Sequence, residues 1–134
     1  MFDTRIAVIV SDELQMWQKL NVTAFTISGI ASVPDVLGEA YVDGSGRKYL
    51  PMIRQPVLIF SATPAAIRMA YEAAIGDDVA MTIFTRELFE TPHDEANRAA
   101  VAAVPSGELK LVGLAARGPR KRIERITRGL SLHG

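Results

Sequence analysis

The 134-residue sequence predicts one α/β domain. Two observations point there. Short β-branched runs recur along the chain, and stretches of helical period with polar caps lie between them. A chain of this length buries roughly two thirds of its unfolded surface, so one core suffices without covalent staples. Hydrophobic residues make up 49% of it, which argues against disorder.

Arg5 to Val10 (RIAVIV) reads as a buried strand. Asp12 can cap a helix predicted from Glu13 to about Ile30. Helical period puts Leu14, Trp17, Leu20, Ala24, Phe25 and Ser28 on a core face, with Gln15, Lys19, Thr23 and Thr26 opposite. Gly29 is a weak point, and Pro34 closes the segment. Residues 38–51 hold Asp43-Gly44-Ser45-Gly46 between two tyrosines and read as a hairpin or flexible lobe within the single 1–134 domain. Pro56 to Phe60 is a second strand. Thr63-Pro64 then opens a helix that runs to Ile75 and stops at Gly76. Val79 to Phe84 is a third strand, and Arg86 to Glu90 a single turn. Thr91-Pro92 repeats the cap-and-proline signal for a helix ending before Pro105. Leu109 to Ala115 is a fourth strand, broken by Gly118-Pro119. A last helix covers about Arg120 to Arg128. The alternation predicts a largely parallel sheet, with a ligand crevice beyond the strands' carboxyl ends near Ser11, Asp12, Ser61, Thr63, Thr85 and Arg86.

Several function classes lose support at once. There is no cysteine, hence no disulfide framework and no thiolate site. No phosphate-binding glycine loop, HExxH, GxSxG or GxGxxG motif is present, so no cofactor is expected. The two histidines, His93 and His133, have no metal-type partner nearby, and no metal is expected. Fifteen basic and fifteen acidic residues cancel, so no global field advertises a nucleic acid. The start of the chain carries no signal-peptide pattern, and no apolar run spans a bilayer. The expected location is the cytoplasm, with no membrane partner.

Three groups of residues could carry chemistry. Asn21 lies on the apolar face between Trp17 and Phe25; a buried amide must find partners or cost about 1–3 kcal/mol. It either ties the helix to nearby backbone or points into a pocket that Trp17 walls and Lys19 flanks. The segment Phe84 to Arg98 crowds Thr85, Thr91, His93, Asp94 and Asn97 together. His93 falls in a first helical turn, a placement that suits a general base; ordinary capping by Thr91 explains the same pattern. Arg122 and Arg125 share a basic face of the last helix with Lys121 and Arg128. That face either neutralises phosphates or is simply solvated.

The run from Trp17 to Phe25, then Phe84-Thr85 with Thr91 and Asn97, then Gly113, Gly118 and the closing Gly129-Leu130-Ser131-Leu132-His133, resemble an uncharacterised bacterial domain-of-unknown-function family. That family is similar in fold to the archaeal and eukaryotic-type peptidyl-tRNA hydrolases. Asp12-Glu13-Leu14-Gln15-Met16 resembles the hydrolases' Asp-Leu-x-Met opening. Gly118-Pro119 and Ile123-Glu124-Arg125-Ile126-Thr127 resemble their closing turn and helix. The resemblance implies a three-layer α/β/α sandwich around a four-stranded mixed sheet, and a homodimer. Two departures weaken any carry-over of activity. Trp17-Gln18-Lys19-Leu20 stands where the hydrolases have Gly-Lys-Gly-Lys, and Thr85-Arg86-Glu87-Leu88-Phe89 replaces their Asp-Ala-Gly turn.

Three readings follow, in order. The first is a ligand-binding or regulatory module whose crevice holds a small molecule through Trp17, Asn21, Thr85, Thr91 and Asn97. The second is a hydrolase or transferase acting on an ester or amide such as peptidyl-tRNA, with Lys19 stabilising charge and His93 or Asp94 as base. The third is an RNA-contacting module using Arg122 and Arg125.

Overall fold

A computed structural model describes residues 2–134. In chain order it contains β1 (Thr4–Ser11), α1 (Met16–Ile30), β2 (Tyr41–Val42), β3 (Lys48–Tyr49), β4 (Val57–Ala62), α2 (Pro64–Ala74) and β5 (Ala80–Thr85). A 3-10 turn (Arg86–Phe89) and α3 (Asp94–Ala102) follow. Then come a second 3-10 turn (Ser106–Glu108), β6 (Leu111–Pro119), α4 (Arg120–Ile126) and β7 (Ser131–Leu132).

The main sheet has five strands in the order β5-β6-β1-β4-β7. β1 and β4 run parallel; the β1–β6, β5–β6 and β4–β7 pairs are antiparallel. The sheet is therefore mixed, as the resemblance implies, but it is neither largely parallel nor four-stranded. The extra strand, β7, has only two residues, too few to carry a strand pattern. Gly129, at φ 83°, supplies the left-handed residue that turns the chain from α4 toward β7. β6 does not break at Gly118-Pro119 but runs on to pair Pro119 with Thr4. Proline is tolerated there because it is the strand's last residue and Arg120 N–H bonds onward to Asp3 O at 3.0 Å.

Alternate residues of β1 feed two cores. Ile6, Val8 and Val10 pack with Val22 and Ile30 of α1, and with Phe84 and Ala115. Ala7 and Ile9 pack with Ile67, Ala70 and Ala74 of α2 and with Ile123 and Ile126 of α4. Helices thus cover both faces of the sheet.

The seating of α1 reverses the expected face. Val22, Thr26 and Ile30 are buried, while Trp17, Leu20 and Phe25 stand 54%, 63% and 59% exposed. Thr26 can be buried because its hydroxyl donates to Val22 O at 2.7 Å. Thr82 Oγ1 donates to Thr26 O at 2.8 Å, tying the helix to β5. Two glycines set the close approach. A Cβ on Gly113 of β6 would overlap Val22 Cγ1, and one on Gly29 would lie 2.5 Å from Thr82 Cγ2. Gly29 is a docking point, not a weak point. Asp12 is not the cap either: α1 starts later, and Gln18 Oε1 accepts from Gln15 N–H at 2.9 Å.

Between α1 and β4, β2 and β3 form a separate antiparallel hairpin. Leu37 and Ile53 bridge its base. Among the described residues no helix is long and apolar enough to cross a membrane.

Candidate functional site

The outward face of α1, the strand β5 and α3 enclose a groove of about 460 Å³. Phe25 and Leu88 wall it above Thr82 and Phe84 of β5, while Asp94, Asn97, Arg98 and Val101 line it from α3. Those last four positions follow helical spacing, so one face of α3 is turned to the groove. β5 supplies the floor because it is an edge strand of the sheet.

An aromatic chain runs from the groove toward the start of α1. Phe25 meets Phe84 at 6.0 Å between centroids, Phe84 meets Phe89 at 4.9 Å, and Phe89 meets Trp17 edge-on at 5.9 Å. Trp17 Nε1 donates to Gln15 Oε1 at 3.0 Å. Trp17 therefore belongs to the surround of the groove through its ring, without lining it.

α3 begins two positions later than the Thr91-Pro92 signal implies. His93 is its N-cap, and His93 Nδ1 accepts from Ala96 N–H at 3.1 Å. The imidazole competes successfully for a role usually filled by a hydroxyl or carboxylate. Thr91 is free of capping and binds elsewhere: its hydroxyl lies against Asn97 Oδ1 and within 3.2 Å of Leu88 O. With Oδ1 engaged, the Asn97 amide nitrogen remains to donate. Asp94 is ion-paired with Arg98 one turn along.

The other predicted residues scatter. Asn21 is exposed, not a buried amide, because α1 turns its Val22–Thr26 face to the sheet. Lys19 lies on a different side of α1 from the groove. Its Nζ sits 3.4 Å from Nε2 of His133, and His133 N–H donates to Ile59 O at 2.8 Å. The imidazole beside Lys19 is thus His133 rather than His93. Thr85 is buried, and its hydroxyl has no hydrogen-bond partner among the described residues. Arg122 is engaged: its guanidinium donates to Asp78 Oδ2 at 3.0 Å and to Ala73 O at 2.9 Å. Arg125 is exposed.

Of the predicted ligand-binding set, then, Asn97 lines the groove, Thr91 stands one contact behind it, and Trp17 reaches it through Phe89 and Phe84. Asp94, predicted as a base, lines it as well. Sequence reasoning missed Phe25, Leu88 and Val101. Phe25 looked like core because it is a large apolar residue on an apolar stripe. The α3 face was available as a signal in the 94, 97, 98, 101 spacing.

Residues 4–134 match the model of a family described as a protein of unknown function, DUF2000. The chain belongs to the DUF2000 family. A solved structure of a protein of unknown function, Atu0240 from Agrobacterium tumefaciens strain C58, is similar to this DUF2000 chain at a TM-score of 0.93 and 41% identity, covering 100% of both chains. A search of the curated proteins found no match.

Proposed function

We propose that this DUF2000 domain binds a small, largely apolar molecule in the groove between α1 and α3. The observation that carries this reading is Phe25. A phenylalanine left mostly in water beside Leu88 and Val101 gives apolar surface that a ligand would cover. The polar groups around it are few, as in small-molecule sites generally: the Asn97 amide and the Asp94–Arg98 pair fix orientation more than they add affinity. The aromatic chain gives a direct assay, because Trp17 is the single tryptophan. Filling the groove should alter Trp17 emission, and in a metabolite screen the responding compounds should also raise the melting temperature. Binding should weaken at least tenfold in Phe25→Ser and in Val101→Glu. A ligand that binds both variants as well as the parent chain would remove the assignment.

A second reading rests on Lys19. An ammonium held beside His133 resembles a charge-stabilising group next to a proton carrier, as hydrolysis of an ester or amide such as peptidyl-tRNA would need. The mixed sheet with helices on both faces is consistent with the hydrolase resemblance. Release of peptide from peptidyl-tRNA by purified protein, abolished in Lys19→Ala, would support it. Absence of release leaves the binding reading alone.

A further inference from the structure

A second cavity, of about 420 Å³, opens at the carboxyl end of β1, on the sheet face covered by α2. Three cations from three different segments line it: Arg68 of α2, Arg86 just after β5, and Lys110 just before β6. None of the three is ion-paired among the described residues. Glu13 is the one carboxylate in the lining, so the cavity holds a surplus of two positive charges in a chain whose net charge is zero.

The cations are held differently. Arg68 donates to Ser106 O at 2.9 Å and to Leu109 O at 3.0 Å, and its guanidinium lies 5.2 Å from the Tyr71 ring centroid. Carbonyls and a ring face fix its position without cancelling its charge. Arg86 and Lys110 are exposed and free to turn inward, and their backbones are locked together by Arg86 N–H to Lys110 O at 3.0 Å.

Neutral donors face the same space. Ser11 lines the cavity although only 1% of it is exposed. Its oxygen accepts from Glu13 N–H at 3.2 Å, and among the described residues its own proton has no acceptor. Ala65, also in the lining, is the second residue of α2. Thr63 Oγ1 takes Ala66 N–H and Thr63 O takes Ile67 N–H, which leaves the Ala65 N–H without an acceptor among the described residues, at the positive end of an eleven-residue helix.

We propose that this cavity binds a small molecule through a phosphate group. A phosphate monoester carries about −1.5 to −2 charge near neutral pH, which balances the surplus, and its three oxygens match the donors on hand. A carboxylate, with one charge and two oxygens, would leave one cation unanswered. The site lies across the sheet from the groove and does not depend on the reading given to it.

The test is a titration of the ¹⁵N-labelled chain with inorganic phosphate, with sodium chloride holding ionic strength constant and acetate as the comparison anion. Phosphate should give saturable shifts at the Ser11, Ala65 and Lys110 amides, and acetate should not. Arg86→Gln with Lys110→Gln should raise the dissociation constant for phosphate at least tenfold; both side chains are exposed, and unchanged spectra in β1 and α2 would show that the fold is kept. The proposal is overturned by non-saturating shifts, by an equal response to acetate, or by unchanged affinity in the double variant.

Discussion

Gly113 has no side chain, and α1 uses the space. Val22 sits where its Cβ would be, and Ile9 O lies 3.0 Å from the same point. One neighbour is a backbone oxygen and the other a β-branched residue locked in a helix, so neither yields easily. Gly113→Ala should therefore destabilise the domain by about 1–3 kcal/mol through overpacking, read as a lower urea midpoint at unchanged slope. An unchanged midpoint would mean that α1 seats elsewhere. The same contact explains why the buried face of α1 was hard to read. Trp17, Leu20 and Phe25 outrank Val22, Thr26 and Gly29 in hydrophobicity, and a period analysis follows the larger residues. The docking surface is instead chosen by what can come close to the sheet. His93 shows the same limit at a helix start. Threonine before proline is the stronger cap signal, yet the imidazole nitrogen takes the Ala96 N–H and leaves Thr91 for Asn97.

The β2–β3 hairpin is held by one carboxylate. Asp43 Oδ1 accepts from Ser45 N–H at 2.9 Å and Arg47 N–H at 3.1 Å, and its Oδ2 accepts from the Tyr49 hydroxyl at 2.7 Å. The Tyr49 hydroxyl, and then the two N–H groups, hold the Asp43 carboxyl below the usual carboxylate range. The same bond pushes the Tyr49 phenol above its ordinary value. The sign follows from each direction. Asp43's contribution to hairpin order is complete above its unfolded pKa and is lost as pH falls through the lowered folded one. Tyr49's is complete below its unfolded pKa and is lost as pH rises through the raised one. The hairpin should thus be ordered at neutral pH and loosen at both extremes. Amide shifts of Ser45 and Arg47 should follow the acid limb, and Asp43→Asn should abolish that limb; a persistent acid transition in the variant would locate the cause elsewhere. This element was legible as a turn-rich segment between two tyrosines, because glycine and aspartate at fixed positions encode it locally. β7 was not legible, because its pairing with β4 is made entirely by the rest of the fold.

Across the whole molecule, the strands and helices could be read in order while the sheet could not. Alternating elements favour parallel crossovers, but the segment from Arg86 to Lys110 returns beside β5 and makes β6 antiparallel to both its neighbours. Nothing local in those residues states the direction of return. One apolar surface is also left largely open: Met16, Trp17 and Leu20, all more than half exposed, lie together at the start of α1. The homodimer implied by the hydrolase resemblance would have reason to cover them. Sedimentation should then give the mass of two chains, and Leu20→Lys the mass of one. A single-chain mass for the parent protein would sink the idea.

The central position of β1 has a kinetic side. β1 begins at Thr4, yet its antiparallel neighbour is completed only at Pro119, which pairs with Thr4 itself. During synthesis the hydrophobic run Ile6–Val10 therefore leaves the ribosome long before the strand that will cover one of its edges. Closing a loop of this span comes late and slowly, as in other folds dominated by distant pairings. Until β6 arrives, that edge of β1 is an open hydrogen-bonding edge, the kind on which other chains can pair.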